Sequence, residues 1–298
     1  MTRPTLRSRR LVLIAIDGPL ASAARPLFPL LVVGTGKNRH FLTIDDKYAP
    51  FGTTPSHLRG ETAYILGRNK PVQTKVPQGG SEDAINYEGH GTLAKDGSAE
   101  LTLRIVFVGS FAASLRNGLS QIPQNQLGNI IETRLLGQHL QGSQLRNFKV
   151  IDENELDKPL IIEIETTVPQ FATPSSVGLL ISPPFMPRLS GLTPLAERAT
   201  PLLIPQENSQ SLDLSISLPP GVTAQVTPTR GKTALSSYEV RDRVEGNNVR
   251  LARKITTQAG RIPASEYAAF QKYANQADAA ISRAIRLKES DLNRAGSN

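Results

Sequence analysis

Three segments of this chain alternate apolar and polar side chains over many residues, and that period fixes what it can fold into. Leu101, Leu103, Ile105 and Phe107 are separated by Thr102, Arg104 and Val106. Leu160, Ile162, Ile164, Thr166 and Val168 repeat the pattern, and Leu212, Leu214, Ile216 and Leu218 alternate with Asp213, Ser215 and Ser217. A two-residue period places one face of an extended strand on a core and the other in water. With 22 prolines, 23 glycines, no tryptophan and 5% aromatic residues, the chain reads as rich in strands and turns.

Other strands are expected at Leu27 to Val33, His40 to Ile44, Thr62 to Leu66 and Val72 to Val76. Tyr87 to Lys95 and Ala99 to Val108 read as a hairpin, its Asp96-Gly97 step supplying the positive φ angles of a type I′ turn. The period then changes. Phe111, Leu115 and Leu119 are four apart, and Leu127, Ile130, Ile131 and Leu135 follow the rhythm of a buried helix face, with Pro123 at the start and Gly137 at the end. Strands at Phe148 to Ile151 and Leu160 to Val168 complete a β-β-α-α-β-β order.

Between 182 and 205 stand six prolines. A sheet interior cannot absorb that many missing N–H donors, so this is an extended connector, with Phe185, Met186, Leu189, Leu192 and Leu195 needing burial. Tyr238 to Val244 and Val249 to Thr256 form a hairpin around Gly246-Asn247-Asn248. A final helix from Ala264 to Arg286 presents Tyr267, Phe270, Ala274, Ala277, Ile281 and Ile285 on one face. The fold class is therefore α+β, mainly β: an antiparallel β-sandwich-like region with a two-helix insertion and a C-terminal helix.

Composition narrows the chemistry. There is no cysteine, which removes disulfides, thiolate nucleophiles and most structural zinc sites. His40, His57, His90 and His139 are too scattered to suggest a metal site, and no metal or cofactor is expected. G-x-S-x-G is absent, and Gly34-Thr35-Gly36-Lys37 lacks the spacing of a phosphate loop. The net charge is +8, but four arginines lie in the first ten residues; without them 30 basic residues face 26 acidic ones. No basic stripe interleaved with aromatics appears, so nucleic acid is not an expected partner. No stretch reaches the roughly 20 apolar residues of a membrane helix. Leu11 to Ile16, followed by Ala21-Ser22-Ala23, reads either as the apolar part of a secretory signal or as a core strand.

Asp45-Asp46 ends an apolar strand. A carboxylate there can orient a catalytic histidine or belong to a solvated turn. The surrounding stretch, RHFLTIDDKYAPFGTTPSHLRGETAYIL (Arg39 to Leu66), resembles the end of the transglutaminase-like domain in a family of exported bacterial proteins. GSFAASLRNGL, LDKPLIIEIETTVPQFA and GRIPASEYAAFQKY (Gly260 to Tyr273) are similar to that family's non-catalytic C-terminal region. The resemblance implies a papain-like cysteine, histidine and aspartate triad of which Asp45 would carry the aspartate, as a vestige, while nothing here matches the other two. It implies an exported, periplasmic setting and a chain corresponding to the tail of such an enzyme. The expected organisation is an unplaced segment at 1–25, a remnant of the transglutaminase-like core at 26–80, the β-β-α-α-β-β region at 81–181, the connector at 182–205 and a C-terminal β region with the final helix at 206–290.

Three functions compete. The first is a non-catalytic interaction or scaffolding module, which would take a protein partner. The second is part of a cysteine transglutaminase or protease whose cysteine and histidine lie on another chain. The third is a secreted carbohydrate- or peptide-binding sandwich.

Overall fold

The structure, a computed structural model, describes residues 9–15, 27–34, 39–44, 46–55, 58–66, 70–77, 83–176 and 178–289. Strands β1 (Arg9–Ala15), β2 (Leu27–Val33), β3 (His40–Thr43), β4 (Thr62–Ile65) and β5 (Val72–Lys75) form a sheet in the order β3-β2-β1-β4-β5. Every pairing in it is antiparallel. The apolar run beginning at Leu11 is thus a strand here, flanked by β2 and β4. Leu30, Val32, Phe41, Leu58, Ala63, Ile65 and Val76 make a small core on this sheet.

The larger unit starts with β6 (Ala84–Leu93) and β7 (Ala99–Val108). Their connection differs from the expected type I′ turn. Gly97 has φ 89°, but Asp96 has no positive φ. Gly97 N–H donates to Ala94 at 3.1 Å and Ala94 N–H to Ser98 at 2.8 Å. The Asp96 carboxylate accepts from Ser98 N–H at 2.9 Å, which holds Asp96 in a wider turn. A Cβ at Gly97 would lie 2.3 Å from the Ala172 carbonyl oxygen, so glycine is needed there for contact as well as conformation.

Helices α1 (Ser110–Leu119) and α2 (Gln124–Ile130) follow, and α2 runs into a π-helical turn at Ile131–Leu136. That turn closes with Gly137 N–H donating to Glu132 at 2.8 Å. Next come β8 (Gln144–Ile151), β9 (Leu160–Val168), β10 (Ala172–Ser175), β11 (Gly178–Ile181), β12 (Leu202–Ile204), β13 (Asn208–Ser217) and β14 (Val222–Gln225). The chain continues through β15 (Thr229–Lys232), β16 (Ser236–Val240), β17 (Arg243–Glu245), β18 (Asn248–Thr257), β19 (Gly260–Ile262), α3 (Tyr267–Ile281) and β20 (Ile285–Glu289).

A nine-stranded sheet has the order β15-β16-β18-β13-β6-β7-β9-β8, with β17 also on β18. The β6–β13 pair is parallel and stitches the β-β-α-α-β-β region to the C-terminal β region. The second layer is a four-stranded sheet, β10-β11-β20-β14. Inward residues of both sheets share one core with the helices: Leu101, Leu103, Ile105, Leu160, Ile162, Leu212, Leu214, Ile181, Ile285 and Leu287 are all in it. This is the sandwich that the alternating segments predict, and the protein is mainly β.

The connector buries Phe185 and Leu189, at 2% and 4% exposure, but leaves Leu195 at 51%, against expectation. Phe185 has φ 63° and stacks on Tyr87 with ring centroids 4.5 Å apart. Two further expectations are corrected. The strand Tyr238 to Val244 is interrupted at Arg241-Asp242, because the buried Asp242 carboxylate accepts the Ala252 N–H at 3.1 Å in place of a ladder partner. The last helix stops at Ile281. Ile285 and Leu287 instead enter β20, where Ile285 pairs with Ile181 and Leu287 with Ala224.

Helix α3 makes a second core, with Tyr267, Phe270, Ala274, Ala277 and Ile281 against Leu202, Ile204, Val240, Ile255 and Ile262. Its Asp278 accepts the N–H groups of Leu189 at 2.6 Å and Ser190 at 3.0 Å, and the Tyr267 hydroxyl donates to Leu195 at 2.7 Å. The proline-rich connector is thereby fastened along the helix.

Candidate functional site

Asp45, the candidate triad aspartate, lies outside the described residues, as does His57. Of the phosphate-loop-like stretch, Gly34 is described with φ 91°, and residues 35–37 are not. The neighbours of Asp45 do show where the end of β3 points. Thr43, Ile44 and Asp46 line one wall of a cleft of about 880 Å³. The facing wall is α1, through Ser110, Ser114 and Asn117, and Gln206 closes one side.

Several contacts fix these walls. Glycine at 109, with φ 64°, turns the chain from β7 into α1. Asp83, at 1% exposure, accepts the Ser110 N–H at 2.7 Å. A carboxylate there satisfies an open donor of the first turn and complements the helix dipole. Gln206 donates its side-chain amide to the Ser110 hydroxyl at 2.8 Å. Asp46 accepts the Tyr48 N–H at 2.9 Å. Hydrogen bonding from Ser120, and then from Lys47, holds the Tyr48 phenol below its ordinary pKa. Arg59 pairs with Glu207 at 3.2 Å and links the small sheet to the segment leading into β13.

The cleft therefore offers hydroxyls and amides, with Ile44 at 56% exposure on its wall and Phe51, at 68%, next in sequence to the lining Pro50. Ser110 is hydrogen-bonded to an amide donor, and Asp46 to a backbone donor. Neither arrangement activates a nucleophile, which needs a base within hydrogen-bond reach.

The histidines are not gathered here. His40 is on β3 with its ring 5.3 Å from Phe51. His90 is on β6, where it lines a groove over the polar face of the nine-stranded sheet. His139 packs 5.0 Å from Phe185, and desolvation lowers its pKa. Among the described residues no group of three or more metal-ligating side chains occurs, and no helix is long and apolar enough to cross a membrane.

Sequence reasoning missed the charged groups inside the protein. Arg116, at 1% exposure, donates to the carbonyls of Glu153, Asp152, Glu155 and Lys158 at 2.9–3.0 Å. It pins the β8–β9 loop to α1. Its place three residues before Leu119 was the available signal. Arg253 occupies an inward position of β18, between Leu251 and Ile255, which was an equally legible sign of a buried partner.

Comparison with known proteins adds three findings. No curated protein matches the chain. A crystal structure of a "putative protease" from Parabacteroides distasonis ATCC 8503 is similar at 9% identity and a TM-score of 0.48, over 94% of this chain and 39% of that one. The chain thus spans about two fifths of that protein's length. Residues 178–287 match the family model of a domain of unknown function with solved structure, DUF3858. That segment starts at β11 and ends within β20, and these two strands pair through Leu180–Arg286 and Ile181–Ile285, so the matched domain is closed by its own first and last strands.

Proposed function

We propose that this chain is a non-catalytic, β-rich interaction module that presents the cleft between the β3 turn and α1 to a protein partner. The supporting observation is the cleft's chemistry. Exposed Ile44 and Phe51 stand beside hydrogen-bonding walls in which Ser110 and Asp46 face donors, not a base. An apolar anchor within a polar surround is how protein interfaces are built. The resemblance to exported bacterial proteins supports a role outside the cytoplasm.

Panning a random peptide library against the purified chain should enrich a related set of sequences whose affinity falls at least tenfold on Ile44→Asp. An absence of enrichment, or binding indifferent to both Ile44→Asp and Phe51→Asp, removes the cleft from the reading. Incubation with a glutamine donor and a primary amine should give no product above blank. Turnover that co-purifies with the chain would overturn its non-catalytic character.

A further inference from the structure

Next to the large cleft, and sharing Gln206 with it, lies a smaller pocket of about 240 Å³. Its walls include Phe111 from α1, Leu189 and Leu192 from the connector, Ile204 from β12 and Ile255 from β18. Ile255 reaches it from the inward face of β18, which it shares with Val249 and Leu251. Arg188 is the only charged residue in the lining. It is exposed, and so stands at the mouth.

Arg188 immediately precedes the 3-10 turn Leu189–Leu192. The first two N–H groups of that turn are held by Asp278, one on each carboxylate oxygen, which fixes the backbone of Arg188 beside the pocket. The neighbouring acids are occupied: Asp278 by those donors, Glu207 by Arg59 and Asp83 by the Ser110 N–H. Among the described residues Arg188 has neither an ion pair nor a hydrogen-bond partner.

The rest of the rim offers an anion little. Pro187 and Pro205, both in the lining, have no N–H, and the Gln206 amide donates to Ser110. The Arg188 guanidinium, by contrast, carries a fork of N–H groups that matches a carboxylate. A cavity of about 150 Å³ with apolar walls takes benzene, so 240 Å³ suits a ring of that size with a short arm. A neutral hydrocarbon would fill the walls and leave the cation unused. A small polar anion would meet the cation and leave the walls empty.

We propose that this pocket binds an apolar carboxylate, with a phenyl-sized body between Phe111, Leu192 and Ile255 and the carboxylate on Arg188 at the mouth. The inference concerns this pocket alone and stands whether or not the larger cleft holds a partner.

The test uses the full chain and two nearly isosteric probes, 3-phenylpropionate and its uncharged amide, in titrations followed by NMR. The acid should bind at least about fivefold more tightly than the amide, as a charge-assisted, two-pronged contact requires. Arg188→Gln should abolish that preference and leave the affinity for the amide unchanged. This position is exposed, so the comparison does not depend on a change in the core. Leu192→Trp, on the half-buried wall, should block both probes. N-acetylphenylalanine binding as tightly as 3-phenylpropionate, with the same dependence on Arg188, identifies the C-terminal residue of a peptide as the source of the carboxylate; weaker binding identifies a free acid, and either supports the pocket. No binding by either probe, equal affinities for acid and amide, a preference that survives Arg188→Gln, or binding that persists in Leu192→Trp overturns the proposal.

Discussion

Arg253 and Asp242 are each 3% exposed and form a two-pronged ion pair inside the protein. Arg253 Nη2 is 2.5 Å from Asp242 Oδ2, and Nε is 3.2 Å from Oδ1. The third arm, Nη1, donates to the Ile281 carbonyl at 2.6 Å, at the end of α3. One guanidinium thus joins the strand break at Asp242, the middle of β18 and the last turn of the helix. A cation at a helix C-terminus also suits the helix dipole.

Removing one partner strands the other charge. Arg253→Met should cost about 3–5 kcal/mol, the range for breaking a buried pair from one side. The double replacement Arg253→Met with Asp242→Leu should cost less than the sum of the singles, because no charge is then left unpaired. Urea unfolding of the four proteins gives the coupling. Additive losses, or a single-variant loss under 1 kcal/mol, would mean that the pair is not coupled in the folded state.

Helix α3 provides the next test. Phe270 is 5% exposed, and Ala274 and Ala277 are fully buried beside it. Phe270→Ala should cost about 3–5 kcal/mol, as expected for a buried phenylalanine. An unchanged unfolding midpoint would show that this face is not packed in the monomer.

The same helix shows where sequence reasoning stops. Tyr267 through Ile281 could be assigned to a buried face from spacing alone, and they form one. Ile285 also lies four residues beyond Ile281, so the helical period accepts it. Ile285 and Leu287 equally satisfy a two-residue period, and pairing with β11 and β14 decides in favour of the strand. Only distant residues carry that information. The hairpin at Asp96-Gly97 was legible as a hairpin, but its turn type depended on how Asp96 and Ser98 bond to each other. The cleft had no local signature at all. Its walls come from Ile44, Ser110 and Gln206, three segments brought together by the fold, and the one site residue inferred by resemblance, Asp45, lies outside the described residues.

Tyr87 supplies a prediction in pH. It is 6% exposed, and burial beside Phe185 raises its pKa from 10.0 to about 12. The phenol is neutral in the core and ionises at its ordinary value in the unfolded chain, so the unfolded state releases the proton first. The contribution to stability is therefore complete below pH 10 and disappears as pH rises through 12. Two pKa units correspond to about 2–3 kcal/mol. Stability of the wild-type chain should fall between pH 10 and 12 more steeply than that of Tyr87→Phe, which keeps the ring stacked on Phe185 and has no proton to lose. Burial raises the pKa of Tyr273 as well, so absorbance at 295 nm should show more than one of the six tyrosines ionising late, and Tyr87→Phe should remove the part of that late change that belongs to Tyr87. Parallel stability curves for the two proteins, or a late absorbance change of the same size in Tyr87→Phe, would show that another group controls the alkaline transition.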